Sequence, residues 1–413
     1  MPVRTASLKS TPALVCAAVL LSTAVVAFAA GPKAYVGNFK DSTVSIIDTA
    51  NDAVIGTVPV SAGPHGMTMT PDGKTVYVSG DESSTVSVID TATDRVTYAV
   101  DVGKTPHGLA MQPDGRMLLV AVYGEDRVAF VDTATRAIMA SVDVTKPHTI
   151  AIRPDGKLAY VASQQPGNFA LVVVDLARRT VVRSIALDKP PRDLEFSYDG
   201  KALYFTLAGV SAVQVLDPQT DRIVAAVATG ASPHIASYFR GAPAATAVVQ
   251  GPGELLLFDP ATNAPLRTIA VGKQPHWVAA SADGKRAYVT NEGSNDLSVV
   301  DLASGQVTTI AVGNAPRKVV VQQTAMKAGG AATVSIANFA FVPGELTIAA
   351  GDTVTWSNDD GAPHGLAYKD GAPGTNLLLP GAKFARTFDR PGSYDYVCSV
   401  HPYMSGKVFV RSP

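Results

Sequence analysis

Cysteine is scarce in this sequence: two residues in 413, Cys16 and Cys398, the first of them inside the opening thirty. A chain that loses those thirty residues keeps one thiol and no internal disulfide, which excludes a disulfide-stapled scaffold and any Cys-x-x-Cys metal site. Charge is also low, at 17%, while apolar residues reach 46%, a balance that excludes a disordered chain. Lys and Arg number 34 against 35 Asp and Glu, so the basic surplus that a nucleic-acid surface needs is missing. No G-x-S-x-G, H-E-x-x-H, phosphate-loop or dinucleotide fingerprint stands out, which leaves hydrolase and nucleotide chemistry without residues to carry it.

What is present begins with an export signal. Arg4 and Lys9 precede the apolar run ALVCAAVLLSTAVVAFAA, which ends in Ala27-Phe28-Ala29, the A-x-A pattern of a secretory cleavage site. The expected signal peptide covers 1–30, with an uncleaved membrane anchor as the alternative. Cleavage would move the formal net charge from −1 to −3, leave no transmembrane segment in the mature chain and make the protein periplasmic or secreted.

At 413 residues a single core is too small a container, and more than one domain is expected. An internal repeat accounts for most of the length. The stretches VSIID, VSVID, VAFVD, LVVVD, VQVLD, LLLFD and LSVVD end at Asp48, Asp90, Asp132, Asp175, Asp217, Asp259 and Asp301, spaced 42 or 43 apart. A PDG-like turn keeps the same phase at Asp72, Asp114, Asp155, Asp199 and Asp283, followed by strand sequences such as TVYVSG and RAYVTN. With 35 Gly and 28 Pro punctuating the chain, each period holds about four short strands and no long helix, the content of one propeller blade. The Asp ends read as turn residues whose carboxylates accept backbone N–H bonds.

These repeats resemble the YVTN family of β-propellers, whose signature is spelled by Tyr288-Val289-Thr290-Asn291. The resemblance covers about residues 32–322 and implies seven blades. The chain enters on a second-strand sequence, AYVGN, and leaves on a first-strand sequence, RKVVVQ, so its two ends are expected to share one blade and close the ring. In every repeat a Pro precedes the first strand, and the next residue is His65, His107, His148, Arg192, His234, His276 or Arg317. Five of the seven His in the chain hold this one position, and the innermost strands should bring them to one mouth of the central channel. Two readings stay open there: a metal or anion site, or His side chains that hydrogen-bond neighbouring carbonyls or water.

Near Thr333 the period is lost and a different strand pattern begins, expected to form a small β-sandwich. One thiolate, two imidazoles and one thioether, from Cys398, His364, His401 and Met404, make up the soft ligand set of a mononuclear blue-copper site. Two residues separate each successive pair among Cys398, His401 and Met404, so these three fit one tight loop, while His364 arrives from another. A binuclear copper centre would need a second thiolate. The approach GDTVTWSNDDGAPH and the loop CSVHPYM resemble the plastocyanin/azurin cupredoxins, most of all the amicyanin and pseudoazurin type. That resemblance implies one type 1 copper held by His364, Cys398, His401 and Met404, with Asn358 holding the ligand loops together by hydrogen bonding.

The expected protein is all-β: signal peptide 1–30, seven-bladed propeller 31–322, linker 323–332 and cupredoxin domain 333–413. Its expected role is copper-dependent electron transfer with a redox protein partner, the propeller serving recognition. The alternatives are a copper oxidoreductase with a second metal or substrate at the His/Arg ring, and a copper carrier.

Overall fold

The computed structural model describes Met1 and residues 32–323, 331–349, 351–369, 371, 373–388 and 392–411. The expected signal peptide beyond Met1, and residues 324–330 of the expected linker, lie outside the described residues. The two fold types expected from the sequence are present: a seven-bladed β-propeller followed by a two-sheet β-sandwich.

Between Lys33 and Val321 the strands form seven four-stranded antiparallel sheets. Six are built from consecutive strands. The seventh pairs Lys33–Asn38 with Pro316–Val321, in the register Ala34↔Val321 and Val36↔Val319, so the two ends of the repeat region complete one blade. Each innermost strand packs beside those of the two neighbouring blades, and Pro316–Val321 meets Pro64–Met69 to close the ring.

Burial explains the sequence pattern of the blades. Middle strands such as Thr85–Asp90 are packed on both faces and read as near-continuous apolar runs. Outermost strands such as Arg222–Ala228 are mostly exposed and carry charge or small residues between their apolar positions. Tyrosines of the second strands reach across to the next blade along the chain: Tyr35 Oη donates to Asp94 at 2.8 Å and Tyr160 Oη to Asp221 at 2.7 Å. The repeated Asp residues act at the following turns, where Asp90 accepts the N–H groups of Ala92 and Thr93 and Asp132 those of Ala134 and Thr135.

The innermost strands share a feature that the repeat alone did not reveal. Pro64 pairs with Gly80 and Met67 with Val78, so His65 and Gly66 together oppose Ser79 in a β-bulge. The same irregularity falls after Pro106, Pro147, Pro191, Pro233 and Pro275, and at Arg317 in the shared blade. Pro is the first residue of the strand, not the residue before it, and the ring residue is the bulged one. Gly after the His is required where the next blade closes in: a Cβ on Gly66 would lie 2.0 Å from the carbonyl oxygen of His107.

The C-terminal strands form two sheets, one of four strands spanning Ala331 to Phe388 and one of five spanning Glu345 to Arg411. The first strand starts at Ala331, two residues before the boundary expected at Thr333. Strand Asp352–Asn358 alternates strictly between buried and half-buried positions, as a strand with one face on a core must. That core holds Trp356, Phe388, Tyr396 and Val408, and it also contains Cys398 and Met404. No helix among the described residues is long and apolar enough to cross a membrane.

Candidate metal centre and the histidine ring

Cys398 follows the strand Gly392–Val397, and His364 opens the strand His364–Tyr368 that pairs with it, so sheet pairing delivers thiol and imidazole to one end of the sandwich. The loop after Cys398 is drawn tight by two backbone bonds, Cys398 N–H to Met404 O and Met404 N–H to His401 O, both 3.0 Å. Cys398 Sγ lies 3.6 Å from His364 Nδ1 and 3.8 Å from His401 Nδ1, and the two nitrogens are 3.3 Å apart. A trigonal ion with bonds of about 2.0–2.1 Å to nitrogen and about 2.3 Å to sulfur requires sides of about 3.6 and 3.8 Å. The triangle therefore fits one first-row ion, and the donor set suits copper. Among the described residues, this is the one group of three His, Cys, Asp or Glu whose ligand atoms lie within 4.8 Å of one another. Met404 is 3% exposed in the same core, while His364 and Cys398 are fully buried.

The surroundings fix these side chains. His364 Nε2 donates to Asp360 Oδ2 at 3.0 Å, which leaves Nδ1 bare for a metal. Asp360 also accepts the N–H groups of Asn338 and Phe339, at 2.7 and 2.9 Å, and these bonds, Phe339's first, hold its carboxyl below the usual range. The Phe339 ring stands edge-on to both His401 and His364, with centroids 5.1 and 5.5 Å away. Asn358 donates to Ala362 O and Leu378 O at 2.9 and 2.7 Å. Its bonds thus brace the His364 side of the site. The motif reading passed over Asp360 and Phe339. A carboxylate four residues before a ligating His was visible in NDDGAPH, but the turn that brings Phe339 there depends on folding.

The propeller residues do converge. In ring order the centroid distances are 3.9 Å for His234–His276, 5.6 Å for His276–His65, 3.9 Å for His65–His107 and 4.0 Å for His107–His148. His107 Nδ1 donates to His148 O at 3.0 Å and His148 Nδ1 to Arg192 O at 2.9 Å, each imidazole tying its blade to the next. The two arginines are engaged elsewhere, Arg317 with Glu292 and the Phe39 ring, Arg192 with Ser232 and Gln250. Asp193, beside Arg192 in the sequence, is 2% exposed and lies 2.8 Å from His234 Nδ1. Burial alone would raise its carboxyl, but the His234 imidazole beside it holds it well below the usual range. Sequence reasoning missed Asp193, although it breaks the repeat where other blades carry Gly66, Gly108 or Thr149.

Burial first, then mutual repulsion, keeps His65, His107 and His276 neutral far below the ordinary imidazole value, and burial lowers His148 as well. The unfolded chain protonates these groups near pH 6.5 while the folded one does not, so stability must fall as pH drops below about 6.5. The turn carboxylates Asp90, Asp132 and Asp301, held low by their hydrogen bonds, add a further loss below about pH 4. Asp81 and Glu195, raised by burial, oppose the trend but are outnumbered. Calorimetry of the metal-free protein is expected to show a melting temperature that is level above pH 7, declines from about 6.5 and steepens below about 4. A rise in melting temperature between pH 7 and 5 would contradict the neutral ring.

Two known families match the chain: copper binding proteins of the plastocyanin/azurin family over residues 328–411, and a YNCE-like β-propeller over residues 4–101. Amicyanin-alpha of Methylorubrum extorquens is 39% identical over 88 residues, covering 20% of this chain and 73% of that protein. Amicyanin of Paracoccus denitrificans is 41% identical over 89 residues, covering 20% and 68%. Among solved structures, Kuenenia stuttgartiensis hydrazine synthase superposes with a TM-score of 0.60 at 22% identity, over 65% of this chain and 92% of that one, a likeness of fold alone. Through its C-terminal domain, the chain belongs to the plastocyanin/azurin family of copper-binding proteins.

Proposed function

We propose that the protein is an exported copper electron carrier in which His364, Cys398, His401 and Met404 hold one type 1 copper and the propeller recognises a redox protein partner. The observation that carries this reading is the Sγ–Nδ1–Nδ1 triangle of 3.6, 3.8 and 3.3 Å, already sized for a trigonal ion. Copper bound in such a set exchanges one electron between Cu(I) and Cu(II). The chain's own part is to keep the donors still: Asp360 orients His364, Asn358 braces its loop, and the core encloses Cys398 and Met404. With four protein donors no position is left for a substrate, which favours a carrier over a catalyst.

His401 is half-buried, and Phe339, Val400 and Tyr403 beside it are 45%, 40% and 72% exposed. An apolar patch at the edge of a ligand imidazole suits transient docking of a partner with an apolar face. Voltammetry of the copper-loaded full chain is expected to give a reversible one-electron wave with copper content unchanged after repeated cycles. Release of the metal on reduction would replace this reading with copper carriage.

A further inference from the structure

We propose that the histidine ring of the propeller is a second transition-metal site, which takes a borderline ion such as Zn2+ or Cu2+ through ring nitrogens of His65, His107, His148, His234 and His276, Nε2 in the case of His107 and His148. The first support is the tautomer. His107 and His148 each donate Nδ1–H to a backbone carbonyl of the next blade, and His234 Nδ1 faces the Asp193 carboxylate. An acceptor at Nδ1 leaves the lone pair on Nε2, the arrangement in which protein imidazoles ligate metals. Burial keeps the rings neutral, so those lone pairs are not taken up by protons at neutral pH.

Joining blades does not by itself call for imidazole. Three other blades achieve the same contact with a hydroxyl: Ser79 donates to His107 O, Thr206 to His234 O and Thr290 to Arg317 O. Five histidines are therefore more than the clamp requires. His276 shows the excess directly: it is 6% exposed, and its Nδ1 has no hydrogen-bond partner. Buried polar atoms are nearly always paired. Arg317, turned onto Phe39 and Glu292, stands aside in the ring order, and His65 and His276 on either side of it approach to 5.6 Å. The buried Asp193 carboxylate supplies negative charge behind His234. Glu195 and Lys318, from the innermost strands of two blades, are both pushed toward their neutral forms by burial.

The ring is less drawn together than the Cys398 triangle, since no three of its ligand atoms lie within 4.8 Å of one another. An ion must pull imidazoles of neighbouring blades inward, so this site is the weaker of the two. Its occupancy is independent of copper at Cys398, and the test keeps the two apart.

The full chain, Cys398→Ala and the double variant His107→Gln/His276→Gln are each titrated with Zn2+ and with Cu2+ and dialysed against a weak chelator. Metal per chain is then measured by elemental analysis. The full chain is expected to retain one equivalent more than the double variant, which keeps its thiolate–copper absorption and its near-ultraviolet circular dichroism. Cys398→Ala is expected to keep the ring equivalent. Should the double variant misfold, His65→Gln alone is expected to weaken the second equivalent at least tenfold. Retention of a single equivalent by the full chain, or equal uptake with and without the ring imidazoles, would overturn the proposal.

Discussion

Replacing Cys398 with alanine is expected to abolish the intense visible absorption of the copper-loaded protein and to cut copper affinity by at least an order of magnitude, while the sandwich stays folded. The absorption arises from charge transfer between thiolate and copper, and Cys398 is the one thiol among the described residues. Removing a buried sulfur also leaves a small cavity, at a cost on the order of 1 kcal/mol, well inside the roughly 5–15 kcal/mol by which domains are stable. Folding and colour should therefore separate. Circular dichroism checks the first and absorption spectroscopy the second; a band that survives in the alanine variant would remove Cys398 from the site.

The second large effect concerns ring closure. A chain of residues 31–330 is expected to fold as a soluble propeller, because the blade that closes the ring is complete at Val321. Ending the chain at residue 315 instead removes the innermost strand of that blade. It strips Lys33–Asn38 of one partner, and with Val319 and Val321 it takes away two side chains that are 1% and 7% exposed. Burying a valine contributes about 1.5–3 kcal/mol, so these two alone account for roughly 3–6 kcal/mol before the lost strand pairing is considered. An open strand edge also invites aggregation. Size-exclusion chromatography and thermal melting of the two fragments decide the matter: the longer should be monomeric and melt cooperatively, the shorter should not. Equal stability would mean that the shared blade contributes little.

Much of the architecture was legible because repetition makes weak signals add. One VSVID could be any buried strand, but seven Asp-ended copies ending at Asp48 through Asp301 define blades and the turns between them. AYVGN and RKVVVQ, each short of a full blade, already implied the shared closure that the register Ala34↔Val321 displays. The loop Cys398-His401-Met404 was equally plain, because local spacing on a tight loop is a geometric statement.

Contacts between distant segments were not legible. Asp360 could be seen near His364, but not that the same carboxylate would hold the Asn338–Phe339 turn, because that depends on how the strand Ala331–Ala337 pairs with Asp352–Asn358. The bulges after each Pro were hidden because two residues opposing one is a property of a pair of strands.

The sequence by itself determined the class of both folds, the blade count and the chemical nature of the copper donors, since each is encoded by residue types at short, repeated or loop-sized spacings. Only the tertiary structure decided that the donors form a triangle of 3.6, 3.8 and 3.3 Å, that Arg192 and Arg317 turn aside, and that the five imidazoles meet with buried Asp193 behind them. The physical reason is that closing a ring and pairing two sheets set the distances between side chains far apart along the chain, and no local spacing records them.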